Sequence, residues 1–247
     1  MIRVTPYRIP SYNMQNARKS GNPTFASNQA VQNNTTPIDF SVLTAPVKSL
    51  LWIKDNNLLN AINHLENLKF DESDVKQVQS MSVVLPFLSG QEAVKFIKDS
   101  NIRVKFAQLS SPSTHAQYDF DSNYILINNL YKDSKNPAEI LAISEAILHE
   151  AGHAKDQDGA STVQEEIDCL ALNALSHRVL SKKHPHIFEN QASPIIKEGV
   201  CVYADLFFDS DPSKAKLIQR LKLKYGHLPA GDFKHPPSGL AFRVKSS

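Results

Sequence analysis

Two histidines and a glutamate stand close together in the stretch ILHEAGHAKDQDG, residues 147–159. His149 and His153 are four positions apart, and on an α-helix this spacing places both imidazoles on one face, one turn from each other. Such a pair can bind one zinc ion. Glu150 is rotated by about 100° from His149, so it borders the ion and can act as general base for an activated water. The spacing therefore predicts a zinc site with a catalytic glutamate beside it.

A catalytic zinc site takes three protein ligands and leaves one position for water, so a third ligand is needed. Glu165 and Glu166 are the candidates, because both stand at the start of the next predicted helix. Helical geometry places Glu166 about 100° from the centre of the apolar face, where it can reach a site beside the core. Glu165 follows Thr162 by three residues and can instead close a capping box. We therefore predict Glu166 as the third ligand and keep Glu165 as the alternative.

The surrounding sequence predicts the two helices that must hold these side chains. A helical pattern opens at Pro137 and continues past His153, and a second one opens at Ser161 or Thr162 and ends near Leu180. A short turn between them would bring the start of the second helix back to the end of the first. The three predicted ligands would then face each other across the two helices.

The first half of the chain predicts a small sheet. Apolar and polar residues alternate over 102–107, and the run YILIN covers residues 124–128, so both segments indicate strands. The run 83–88 is rich in β-branched and aromatic residues and predicts a third. Further helices are predicted over 46–68, 89–99, 194–207 and 212–225. The predicted fold class is α+β, with a small, mainly antiparallel sheet followed by a mostly helical half.

The stretch AQYDFDSNYILINNLYKDSKNPAEILAISEAILHEAGHA, residues 116–154, resembles the edge strand and active-site helix of the zincin metallopeptidases. It has a Tyr-Asp turn, a hydrophobic strand ending in Asn, a Pro-led linker and then H-E-x-x-H. The metzincin subgroup would have Gly at 156 and His at 159, where this chain has Asp156 and Gly159. The chain is more similar to the gluzincins, in which a glutamate on the following helix completes the site. Its segment EIDCLAL, residues 166–172, lies over the E-A-N-x-F-A-A of the bacterial regulator-type peptidases.

The resemblance implies a zincin-like fold and zinc-dependent hydrolysis of peptide bonds in a protein or peptide substrate. It implies Zn²⁺ ligands at His149, His153 and Glu166, with Glu150 as the general base. Many gluzincins also have an acid four residues after the ligand glutamate, which orients a zinc-bound histidine. This chain has Leu170 there, and Asp168 is the candidate substitute.

Other chemistry-bearing residues leave alternatives open. Attack of water on a peptide bond creates an oxyanion, which a hydrogen-bond donor of the protein must stabilise. The candidates for this donor are His235, Tyr118 and Tyr203. The pair His184 and His186 is interpreted as solvent-exposed, because lysines precede it in a loop.

Two other functions stay open. One is a non-catalytic regulatory or binding protein on a zincin scaffold, against which the intact glutamate after the first histidine argues. The other is a secreted effector protease whose acid-poor N-terminus serves in export.

Composition narrows the class of protein. With 247 residues, 41% of them hydrophobic, the chain is long enough for one ordinary domain, which we place at 41–247. Residues 1–40 are rich in Asn and other polar residues and contain no acid before Asp39. Too few apolar residues recur there at any period to bury a face. We therefore expect residues 1–40 to be disordered or loosely attached.

Charge, hydropathy and cysteine content bear on the partners and the location of the protein. The net charge is +2 and Lys and Arg form no long run, so we expect no nucleic acid partner. No apolar stretch is long enough to span a bilayer, so we expect a soluble protein. The two cysteines, Cys169 and Cys201, both stand in helical stretches and are interpreted as reduced thiols. This predicts a cytoplasmic protein, with secretion as the alternative.

Overall fold

The α+β fold class is confirmed. The computed structural model describes residues 53–156, 161–189, 191–200, 206–208, 219, 223–225 and 228. A small three-stranded sheet precedes two long helices. The predicted boundary between residues 40 and 41 lies outside the described residues and stays a prediction. The elements are α1 (Asn56–Glu66), α2 (Glu72–Gln79), α3 (Gly90–Asp99), β1 (Arg103–Ala107), β2 (Ala116–Asp119), β3 (Tyr124–Asn128), α4 (Pro137–Asp156) and α5 (Val163–Lys183), with a short π-helix at Ile195–Val200.

The sheet has the strand order β1-β3-β2 and is mixed. Strand β3 is parallel to β1, with Val104 opposite Ile125, and antiparallel to β2, with Tyr118 opposite Ile125. This differs from the mainly antiparallel sheet that we expected. The strand that resembles a zincin edge strand, β3, is central, because β2 pairs along its outer side. Sequence analysis missed β2 because its four residues, AQYD, are mostly polar and only partly buried.

The early helices follow local sequence signals in part. Helix α3 lies within the predicted range 89–99, and Ser89 caps it, since its side chain accepts a hydrogen bond from the Glu92 amide at 3.2 Å. The predicted helix 46–68 starts outside the described residues, and within them α1 begins after Asp55, whose carboxylate accepts hydrogen bonds from the first turn. Helix α2 was not predicted, because its polar sequence ESDVKQVQ buries only Asp74 and Val78.

The strand predicted over 83–88 is wrong. This segment is irregular, and side chains of α4 and α5 hold its backbone. The Val84 amide donates to Asp168 Oδ1 at 3.0 Å, and the Lys155 ammonium donates to the Pro86 carbonyl. Two of its apolar residues serve the core instead, since Val83 and Phe87 are buried, whereas Val84 is exposed. A proline in the run is consistent with the absence of strand pairing over these residues.

Helix α4 is central in the described part of the chain and contacts α1, α3, α5, β2, β3 and the π-helix. Most of its apolar residues are buried, because these elements cover the helix on several faces. Gly152 lies at a tight contact between α4 and α5, because a Cβ at this position would lie 2.6 Å from Cys169 Sγ. The glycine therefore serves the packing of two helices.

The helices predicted after α5 fall mostly outside the described residues. The π-helix lies within the predicted range 194–207, and residues 206–208 are helical. Phe207 is fully buried and packs in a second apolar cluster with α2 and α5. Among the described residues, no helix combines the length and the apolar character that a bilayer crossing needs.

Candidate metal centre

The structure brings the three predicted ligands together. His149 and His153 project from the last two turns of α4, and Glu166 projects from the first turn of α5. The two Nε2 atoms are 3.1 Å apart. Glu166 Oε2 lies 3.7 Å from His149 Nε2, and Glu166 Oε1 lies 3.6 Å from His153 Nε2. One donor atom from each residue falls within 4.8 Å of the other two, so the group could hold one metal ion.

The donor set fits a divalent transition metal. Two imidazole nitrogens and one carboxylate oxygen are ligands that zinc accepts. The site is mostly closed to solvent, with side-chain exposures of 12% for each histidine and 10% for Glu166. Glu166 Oε2 is buried and has no hydrogen-bond partner among the described residues. A buried carboxylate oxygen without a partner is costly, and a cation would satisfy it.

The charge state of Glu166 also suits a metal ligand. Burial by itself raises the pKa of this carboxyl, but the neighbouring His149 and His153 outweigh burial and lower the pKa to about 2. Glu166 is therefore ionised at neutral pH, the form in which a carboxylate binds metal.

Glu165 lies on the other side of His153. Its Oε1 accepts a hydrogen bond from His153 Nδ1 at 2.6 Å, while Nε2 of the same ring faces the ligand group. The two nitrogens of an imidazole point away from each other, so Glu165 is outside the group. Its predicted capping box with Thr162 is present in both directions. The cap follows from the local sequence, whereas the contact with His153 depends on how α4 and α5 pack.

Glu150 is held by β2, the strand at the outer side of β3. Its Oε2 accepts a hydrogen bond from the Tyr118 amide at 2.7 Å. Directly before β2, the His115 carbonyl accepts a hydrogen bond from the Asn128 amide of β3. Since backbone groups of successive strand residues point in opposite directions, the Tyr118 amide faces away from β3. Strand β2 thus fixes the direction of the carboxylate that directly follows the first histidine.

Acids around His153 favour its charged form. Burial alone would lower the pKa of this imidazole, but Cys169, Glu165 and Glu150 raise it well above the usual value. Burial also raises the pKa of the Cys169 thiol to about 11, so this thiol is neutral at pH 7. We therefore attribute the raised pKa of His153 to the two carboxylates. Cys169 is a free, buried thiol that packs on α4.

The other candidates are placed as follows. Asp168 accepts from the Val84 amide and from Gln164 Nε2, at 3.0 and 2.7 Å. The Tyr118 hydroxyl donates to Asn123 Oδ1 at 2.9 Å. The exposed His186 hydrogen-bonds Glu189 at 2.7 Å, and His184 is partly buried. Neither histidine belongs to the metal-binding group found within the described residues. His235, Tyr203 and Cys201 lie outside the described residues.

A second buried ionisable pair was missed by sequence analysis. Glu145 is fully buried one turn before His149, and its Oε1 lies 3.6 Å from His177 Nδ1 on α5. Burial raises the pKa of Glu145 to about 7, although His177 and Ser176 partly oppose this. The sequence contains a signal for Glu145, because residues four apart lie on one face of a helix. Glu145 therefore lies on the same face of α4 as His149.

Comparison with known proteins adds no relative. No protein-family model, no curated protein and no solved structure matches this chain. The chemistry of the three convergent side chains must therefore carry the functional assignment.

Proposed function

We propose that this protein is a zinc-dependent metallopeptidase. The observation that carries the proposal is the convergence of His149, His153 and Glu166. Their donor atoms lie within 4.8 Å of one another, and one buried carboxylate oxygen has no hydrogen-bond partner in the described part of the chain. These residues would hold the ion. A bound zinc ion supplies a Lewis acid that makes water more acidic and polarises a carbonyl group. The substrate would be a protein or peptide.

Glu150 would serve as the general base. It would accept a proton from the attacking water and pass it to the leaving amine. The Tyr118 amide holds one carboxylate oxygen, Oε2, at 2.7 Å, which leaves Oε1 to accept the proton. A fixed base needs little reorganisation during the reaction, which favours a high rate. An intact, oriented glutamate at this position supports catalysis over a purely structural metal site.

The test combines metal analysis with peptide cleavage. Wild type, Glu150→Gln and Glu166→Ala are purified as full chains and measured for zinc content and for hydrolysis of a mixed peptide library by mass spectrometry. We expect about one zinc per chain in the wild type and in Glu150→Gln, and a sharp loss of zinc in Glu166→Ala. Hydrolysis should fall by about 10²- to 10⁴-fold in Glu150→Gln, since a general base contributes that much.

Glu72→Gln is the matched control, because this acid lies on the surface with a side chain 87% exposed. It should keep both zinc and activity. A wild type without zinc, or equal cleavage by wild type and Glu150→Gln, would contradict the proposal. A wild type that holds zinc but cleaves no peptide would instead favour a binding protein that uses the same site.

A further inference from the structure

We propose that Glu165 is the positioning residue of His153, holding this imidazole in the tautomer and direction that metal binding requires. The inference rests on the zinc site proposed above. His153 Nδ1 and Glu165 Oε1 are 2.6 Å apart, and the two side chains are only 12% and 11% exposed. A short, shielded hydrogen bond to a carboxylate is strong and directional.

The hydrogen bond determines which nitrogen faces the ligand group. With the proton on Nδ1 and donated to Glu165, a neutral His153 ring has its lone pair on Nε2. This Nε2 is the atom that faces His149 and Glu166. A carboxylate on the remote nitrogen also makes the ring a more basic ligand.

Glu165 is itself fixed by the start of α5. Its amide donates to Thr162 Oγ1 at 3.1 Å, and its Oε2 accepts from the Thr162 amide at 3.3 Å. One carboxylate therefore closes the helix cap and orients a neighbouring imidazole. The Thr162 backbone amide holds the Glu165 side chain, whereas the Thr162 hydroxyl holds only the Glu165 backbone.

Glu165 is the acid whose hydrogen bond to a ligand histidine the structure describes. The position four residues after Glu166 is Leu170, which is buried in the apolar cluster with α2. The contacts of Asp168 described above go to Gln164 and to the backbone of residue 84. His149 Nδ1 is buried and has no hydrogen-bond partner among the described residues. The two histidines thus differ, and Glu165 supports only His153.

Zinc affinity tests the assignment without using activity. Metal-free wild type, Glu165→Ala and Glu165→Gln are titrated with zinc against a chromophoric chelator. We expect both variants to bind zinc about 10- to 100-fold more weakly, the usual loss when the partner of a metal-bound histidine is removed. The glutamine variant keeps the size of the side chain and serves if the alanine variant does not fold.

Thr162→Ala separates orientation of the imidazole from loss of the cap. It removes the Thr162 hydroxyl but leaves the Glu165 side chain and its contact with His153. We expect a lower melting temperature than the wild type and nearly unchanged zinc affinity. A second readout is the ¹⁵N spectrum of the His153 ring in metal-free protein, at a pH where the ring is neutral. The wild type should show the Nδ1–H tautomer, and Glu165→Ala should show a mixture.

The outcomes distinguish this assignment from the proposed function. If the wild type binds no zinc, the proposed function fails and the assignment fails with it. If the wild type binds zinc and both Glu165 variants bind it as tightly, only the assignment is overturned. The same conclusion follows if Thr162→Ala loses as much affinity as Glu165→Ala, or if the ring tautomer is the same in wild type and Glu165→Ala.

Discussion

Two glutamates on the facing helices α4 and α5 show how far the surroundings of one residue decide its chemistry. Glu166 faces two imidazoles, and its pKa falls to about 2 in spite of burial. Glu145 is more deeply buried, and its pKa rises to about 7 because His177 and Ser176 only partly oppose burial. The first is a carboxylate at neutral pH, and the second is about half protonated. The same residue type thus provides a metal ligand in one place and a buried titrating group in the other.

Replacing Glu145 by glutamine should change how stability depends on pH. The pKa of Glu145 in the folded state, about 7, is above the ordinary value of 4.5, so the folded state binds the proton more tightly. The contribution of Glu145 to wild-type stability is therefore fully present below about pH 4.5 and is lost as the pH rises through 7. Glu145→Gln cannot ionise and escapes this loss. Relative to wild type, it should gain up to roughly 3 kcal/mol above pH 8.

Urea unfolding of both proteins from acidic to alkaline pH measures this difference. Glu72→Gln, at an exposed position, should show no comparable gain with pH. A difference between Glu145→Gln and wild type that stays constant over the whole range would contradict the buried, titrating carboxyl.

Gly152 gives a prediction of opposite sign to ordinary helix propensity. Glycine to alanine in a helix interior normally stabilises by about 0.5–1 kcal/mol. Here the new Cβ would lie 2.6 Å from Cys169 Sγ, so we expect Gly152→Ala to destabilise by about 1–3 kcal/mol. Combining it with Cys169→Ala should recover part of the loss, and a double-mutant cycle by thermal unfolding measures the coupling. A stabilising Gly152→Ala would show that the helices do not pack as described.

At the scale of elements, strand β2 matters more for the site than its length suggests. Its four residues pair with β3 on one side, and on the other side the Tyr118 amide holds Glu150. Sequence analysis assigned the glutamate to general base from its place after the first histidine. The strand that orients it was not predicted, because its four residues are mostly polar and only partly buried.

Tyr118→Pro tests the role of that strand. Proline lacks the amide hydrogen, and the outer edge of a sheet tolerates it because no ladder hydrogen bond is lost there. We expect zinc content to be retained and peptide hydrolysis to fall by about tenfold to a hundredfold, as for loss of a hydrogen bond to a charged group. Tyr118→Ala keeps the amide and should keep most of the hydrolysis. Equal rates in the proline and alanine variants would argue against positioning by the strand.

The helices of the site were predictable because their signals are local. The apolar period of α4, the cap at Thr162 and the four-residue spacing of His149 and His153 can all be read along the chain. Helical angle also separated Glu166 from Glu165. The contact between Glu165 and His153 was not predictable, since it depends on how closely α4 and α5 approach. A glycine on one helix and a thiol on the other form one of the close contacts between these helices.

Elements with weak local signals were missed or wrong. Helix α2 and strand β2 are short and polar, so neither has a clear apolar period. The segment 83–88 has strand-forming residues, but its backbone groups bond to side chains of α4 and α5 instead of a neighbouring strand. Tertiary contacts therefore overrode β propensity there.

At the scale of the whole molecule, the described core consists of two apolar clusters. One surrounds α4 and the sheet, and the other lies between α2, α5 and Phe207. Helix α4 belongs to the first cluster, and much of α5 belongs to the second. The three convergent side chains sit where these two helices face each other, so a bound ion would link elements of both clusters.

The thiol of Cys169 lies between these two helices and is fully buried. A thiol-reactive dye can modify it only when α4 and α5 separate, so in a Cys201→Ser background the labelling rate reports how often the helices come apart. If an ion bridges them, added zinc should slow the labelling and a chelator should restore it, while Glu166→Ala should be insensitive to both. The labelling rate of Cys169 would thus measure how often the site opens.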